Sequence, residues 1–201
     1  MGRAPEREEA GSPNVTGAVA LHAAIDTLTA IGWLALISHE RRIAAALRQG
    51  LAAIPGVRLL GLGPGAETLP VAAFTIDGAP HALAAARLAA EDAIGVRHGC
   101  FCAHPYLMRL LDHTREDVRR YRDQVRRGDR SAMSGAIRAS AGINTTEQDV
   151  ARLLAAVARI ASSPPPIGYH LDTATGDYHP CGDIPGHPPQ PRARQAPCLP
   201  G

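Results

Sequence analysis

Apolar positions recur at helical spacing in two long runs near the start of the chain. Residues 15 to 33 are dominated by Ala, Leu, Ile and Val. From 34 to 54 a stripe of Ile37, Ile43, Ala44, Leu47 and Leu51 lies opposite Glu40, Arg41, Arg48 and Gln49. Stripes of this kind predict amphipathic helices, and these two are expected to pack face to face. Pro55-Gly56 stops the second run. Residues 57 to 60 and 69 to 76 are β-branched or leucine-rich between breakers, which predicts strands. Pro80 suits the first turn of a third helix ending near residue 93. A strand over 94 to 98 then leads into the loop Gly99-Cys100-Phe101-Cys102-Ala103-His104-Pro105 and a short helix over 106 to 111. Residues 114 to 127 are charged at most positions and predict a solvated surface helix. A weakly alternating strand over 136 to 141 follows. Asn144-Thr145-Thr146-Glu147 then carries a capping signal for a last helix over 147 to 161.

The order ααββαβ(αα)βα predicts an α+β domain over residues 11 to 161, with a short, largely antiparallel sheet and helices packed on one face. Residues 162 to 201 are rich in Pro and Gly and are expected to be disordered or draped over a partner.

Composition narrows this picture. A chain of 201 residues with 45% apolar positions has enough for one core, but two Phe, four Tyr and one Trp leave it to be built from Ala, Leu, Ile and Val. A net charge of +2 with interspersed signs implies neither nucleic acid nor an anionic membrane as partner. No apolar run reaches the about 18–20 residues needed to span a bilayer, and the charged N-terminus MGRAPEREEAG is unlike a signal peptide, so a soluble, cytoplasmic protein is the expectation. Four cysteines are too few for a disulfide scaffold, and reduced thiols are expected. Every one of the 21 basic residues is Arg. The absence of lysine removes every amine that could form a Schiff base.

Three segments carry candidate chemistry. In RHGCFCAHP a thiol between a strand and a helix is tunable by Arg97 and His98, and Cys102 is the better placed of the two, although many cysteines are inert small hydrophobes. Cys100, Cys102 and His104 also raise metal binding, but three ligands from one tight loop are fewer than structural zinc accepts, and no metal is assigned. Arg138 sits among small and apolar neighbours in a predicted strand and requires an anionic partner, either a substrate carboxylate or, more commonly, an internal acid. Ser12-Pro13 reads as an N-cap followed by proline, an end that suits a phosphate or simply caps a helix.

Taken in order, EEAGSPNVTGAVAL, Pro55-Gly56-Val57, GVRHGCFCAHP and IRASAGINTTEQDVARLLAAV resemble the C-terminal part of class V aminotransferases and cysteine desulfurases, over about residues 8 to 160. The resemblance implies the small C-terminal domain of a fold-type I, pyridoxal 5'-phosphate-dependent enzyme, with residues 1 to 10 as the end of a junction to a large domain. It implies a homodimer, or pairing with a large domain, in which Gly11 and Ser12 reach the phosphate of the neighbouring cofactor. Cys102 matches the persulfide-forming cysteine, Arg138 the arginine that binds the substrate carboxylate, and Arg97 lies beside the thiol loop. An amino acid is the implied substrate. Family members hold the cofactor on a lysine of the large domain, so this chain alone is expected to be inactive. The alternatives are an aminotransferase or lyase without desulfurase chemistry, and a non-catalytic interaction domain. The aromatic-rich Gly-Leu-Tyr-Asn-Thr stretch of the family is reduced here to AGINT, and a charged insertion at 112 to 130 separates the cysteine from Arg138.

Overall fold

A computed structural model of the chain describes residues 11–63 and 66–182. The expected junction at 1–10 therefore lies outside the described residues. The chain divides into two compact units, 1–39 and 40–201.

The first unit carries α1 (Val15–Ile31) and the opening turns of α2 (Trp33–Ala52). The cap of α1 is Asn14, whose side chain accepts from the Gly17 amide at 2.9 Å, rather than Ser12. The reason is reach, since a side-chain oxygen caps by meeting the amide of the second or third helical residue. No residue of α1 is buried, and Val19, Leu21, Trp33 and Leu34 are exposed. The expected burial of α1 against α2 is therefore not found.

In the second unit, α2 buries Ile43, Ala44, Leu47 and Leu51 as its stripe predicts. Arg48, expected on the solvated side, is buried as well, because its guanidinium donates to the carbonyls of Leu62 and Gly63, the latter at 2.7 Å. Strands β1 (Val57–Leu60), β2 (Val71–Ile76), β3 (Arg97–Gly99) and β4 (Ala136–Ser140) form one antiparallel sheet in the order β1-β2-β4-β3. Helices α3 (His81–Asp92) and α6 (Glu147–Ser162) join α2 on one face of this sheet. There Phe74, Ile137, Leu47, Leu88 and Val157 are fully buried in the main core. The fold is the expected α+β class.

Strand periodicity sends alternate residues to the other face. A smaller cluster of Leu60, Leu107, Met108 and Ala136 fills that side, with Cys100 and Phe101 against it. Leu107 and Met108 come from α4 (His104–Leu110), and α5 (Arg115–Arg126) follows it. The charged helix is exposed as predicted and opens with a capping box of Thr114 and Asp117.

The expectation of disorder from residue 162 onward is corrected over part of its length. Residues 169 to 180 form a hairpin of β5 (Tyr169–Asp172) and β6 (Asp177–Pro180). Its turn uses Asp172, which accepts from the Ala174 amide at 2.8 Å, and Gly176 at φ +83. Tyr169 is buried against α3 and contributes the apolar anchor that the flanking proline-rich segments lack. Residues 183 to 201 lie outside the described residues. Cys181 is disulfide-bonded, which corrects the expectation that every thiol is reduced, while Cys100 and Cys102 are free.

Candidate functional site

The site is built on the second face of the sheet. Because Ile137 and Ala139 point into the main core, Arg138 between them points the other way. Arg138 is in register with Ala73 on β2 and Arg97 on β3. Like charges directly opposite one another in a ladder are destabilising. Neither arginine makes an ion pair among the described residues. The Nε of Arg138 is buried without a hydrogen-bond partner, and its guanidinium lies 5.2 Å over the ring of Phe101. A guanidinium with a free donor can pair with an anion of planar, bidentate geometry such as a carboxylate.

Beside it runs the thiol loop. Gly99 adopts φ 106, which only glycine takes without strain, and Phe101 and Cys102 follow at φ 53 and φ 58. A hydrogen bond from the Ala103 amide to the Cys100 carbonyl at 2.8 Å closes the turn. Each non-glycine residue held in the left-handed region costs about 1–2 kcal/mol. The loop tolerates this because Cys100 and Phe101 are anchored in the smaller cluster and Phe101 also carries Arg138. The result is that Cys102 is exposed at the turn while Cys100 is half-buried. The left-handed pair was not foreseen in the sequence, where nothing but the glycine at 99 signals it.

A relay of polar groups outside the expected set stands behind the loop. His81 on α3 places Nε2 at 2.8 Å from the Met133 carbonyl and Nδ1 at 3.3 Å from Nδ1 of His98. A carbonyl only accepts, so Nε2 of His81 carries the proton, and His98 donates from its own Nδ1 to the bare Nδ1 of His81. His98 Nε2 then faces Asp177 of the hairpin at 3.5 Å. Burial lowers the pKa of His81, in part against the hydrogen bond to Met133. On the far end of α3, Glu91 is bound by Arg87 at 2.9 Å, by Arg159 of α6 and by the Tyr169 hydroxyl, which donates at 3.1 Å. Burial pushes the Glu91 carboxyl up, but the hydrogen bonds from Arg87 and Arg159 outweigh it and hold the group below its ordinary value.

Arg138 and Arg97 thus share one face of the sheet, and Cys102 is the exposed residue that follows Phe101, the ring under Arg138. Gly11 and Ser12 belong to the first unit, where both are exposed. Ser12 makes no cap, and no lysine exists anywhere in the sequence to hold pyridoxal phosphate. Among the described residues no group of three or more His, Cys, Asp and Glu side chains is arranged to hold a metal ion. His104 instead stacks on Tyr121 of α5 with ring centroids 5.3 Å apart.

The family model of class-V aminotransferases matches residues 1–153. "Probable cysteine desulfurase 2" of Mycobacterium leprae is 33% identical over 156 residues, which cover 78% of this chain and 32% of that protein. "Probable cysteine desulfurase" of Vibrio cholerae is 31% identical over 153 residues, covering 76% and 32%. Among solved structures, the cysteine desulfurase CsdA (S-sulfonic acid) of Escherichia coli superposes with a TM-score of 0.60 at 30% identity, over 79% of this chain and 33% of that one. The apo cysteine desulfurase of Thermococcus onnurineus NA1 gives a TM-score of 0.62 at 27% identity, over 80% and 34%. The chain spans about a third of the length of these relatives.

Proposed function

Since the chain belongs to the class-V aminotransferase family, we propose that it serves as the small-domain part of a pyridoxal phosphate-dependent cysteine desulfurase, with Cys102 as the sulfur acceptor. The observation that carries this reading is an exposed thiol, held at a strained turn, next in sequence to the Phe101 ring that underlies Arg138 of the arginine pair. Arg138, with Arg97 beside it, binds the carboxylate of the amino-acid substrate and so fixes where its side chain lies relative to the loop. Pyridoxal phosphate, held by a lysine-bearing large domain, supplies the electron sink for chemistry at the amino acid. The thiolate of Cys102 takes the substrate sulfur: an S–S bond forms as the C–S bond breaks, and the electron pair of that bond stays with carbon. Gly11 and Ser12 contribute to the phosphate site of a neighbouring subunit in a homodimer.

The test supplies L-cysteine to this chain assembled with a lysine-bearing large domain and reads the Cys102 peptide by mass spectrometry. The expected result is the added mass of one sulfur on Cys102, none when the chain is alone, and loss of turnover in Cys102→Ala. Turnover retained in Cys102→Ala overturns the desulfurase reading in favour of an aminotransferase or lyase. A second reading, a non-catalytic interaction domain, is favoured by the exposed apolar side chains of α1 and the start of α2. It predicts a stable complex that forms with no effect on turnover.

A further inference from the structure

The β5–β6 hairpin lies beyond the matched segment, which ends at residue 153, and the family comparison gives it no role. Its contacts are specific. The two ends of the excursion that carries the thiol loop are Gly99 and Ala136, which pair across β3 and β4. The hairpin touches both sides of that excursion. On the entry side, Asp177 faces His98, the residue just before Gly99, at 3.5 Å. On the exit side, the Arg130 amide donates to the Thr173 carbonyl in the hairpin turn at 2.7 Å. Gly176 passes so close there that an added Cβ would lie 2.7 Å from the Arg130 carbonyl oxygen. His81 bridges the same two sides from below, reaching Met133 on the exit and His98 on the entry. An added Cβ at Gly135 would lie 2.6 Å from its Nε2, so the exit strand also runs directly over this ring. Tyr169 fixes the other end of the hairpin to Glu91.

We propose that this hairpin is a clasp for the thiol loop, and that Asp177, acting through His98, is a positioning residue for Cys102; the second half rests on the reading of Cys102 as sulfur acceptor. The chain of contacts from Met133 through His81 and His98 ends on Asp177, which faces Nε2 of His98 at 3.5 Å. Through these contacts β3 is tied to α3 and to the hairpin. A three-residue strand at a sheet edge has few other restraints, and local opening of such segments requires little free energy. The strained turn at Phe101 and Cys102 persists only while its surroundings over-determine it. The clasp supplies part of that determination.

Amide hydrogen exchange on the full chain tests the clasp without any need for activity. Asp177 is half-exposed, so Asp177→Ala leaves the core intact. Exchange in residues 97–103 is expected to accelerate by about tenfold or more while α2 and α6 keep their protection. Gly176→Val, which strains the hairpin turn at φ +83 and drives it off the Arg130 carbonyl, should give the same pattern, and Asp177→Glu should restore protection. Iodoacetamide labelling of half-buried Cys100 should quicken in the two opening variants. Unchanged exchange, acceleration spread evenly over α2 and α6, or an Asp177→Glu variant no better than Asp177→Ala overturns the proposal. Sulfur loading of Cys102 in the assembled enzyme is read separately. A loop that opens as expected while wild-type Cys102 takes no sulfur overturns the acceptor role and leaves the clasp. A loaded Cys102 with an undisturbed loop does the reverse.

Discussion

The pairing of Arg97 with Arg138 across two adjacent strands sets two like charges directly opposite one another, which an anion beside them would offset. Arg138 is half-buried with its Nε unsatisfied, so its replacement removes the directed donor, whereas Arg97 adds an exposed charge. In the assembled enzyme Arg138→Ala is expected to raise KM for the amino acid by about tenfold or more with a smaller change in kcat, measured by steady-state kinetics. Arg138→Lys should recover little, because an ammonium lacks the planar fork. From the sequence, an arginine among Ala136, Ile137, Ala139 and Ser140 announces that a partner is needed. It does not say whether that partner is an internal acid, since the answer depends on which strands flank β4. Cys102 was legible for a similar reason, as a thiol on a loop between a strand and a helix, but its left-handed backbone was not, because Phe and Cys carry no preference for that region.

At the scale of elements the helices follow the sequence pattern closely, whereas the strand expected over 94 to 98 is observed at Arg97–Gly99, a hairpin is added after α6, and two helix caps are displaced. The expected cap of α6 at Asn144 to Glu147 is realised one step along: Thr146 caps, and the reciprocal partner is Asp149. Both hydrogen bonds of that box are present, with the Thr146 amide donating to Asp149 at 2.9 Å and the Asp149 amide to Thr146 Oγ1 at 3.1 Å. Thr146→Ala should destabilise the fold by about 1 kcal/mol, read from the midpoint of urea unfolding with an unchanged slope. The same shift of cap, from Ser12 to Asn14, occurs at α1. Several capping residues in succession make the choice among them depend on where the apolar face must point, and that is a tertiary constraint. The β5–β6 hairpin was missed because composition was averaged over a proline-rich stretch, which hid a short alternating segment around Tyr169 and a turn built on Asp172 and Gly176.

For the molecule as a whole, Glu91 is the residue that joins distant parts of the chain. It binds Arg87 within α3, Arg159 on α6 and Tyr169 on the hairpin, with its side chain 8% exposed. Its folded pKa lies below the ordinary 4.5, so the unfolded state holds the proton more tightly than the folded one. The stability it contributes is present above about pH 4.5 and is lost as pH falls through the lower folded value. Glu91→Gln leaves buried Arg87 without its carboxylate, while Arg159 keeps Asp92, and should cost about 3 kcal/mol at neutral pH. Thermal unfolding measured from neutral to acid pH should show the wild-type Tm converging on that of the variant.

The antiparallel pairing of Gly99 with Ala136 has one more consequence. Everything between them, α4 and α5 included, leaves and re-enters the sheet at neighbouring points, as an interchangeable cassette would. Doubling the length of such a closed segment adds only about 0.6 kcal/mol of closure entropy. Residues can therefore be added or removed in the part of this segment that follows Cys102 while the strands that carry the arginine pair stay in register.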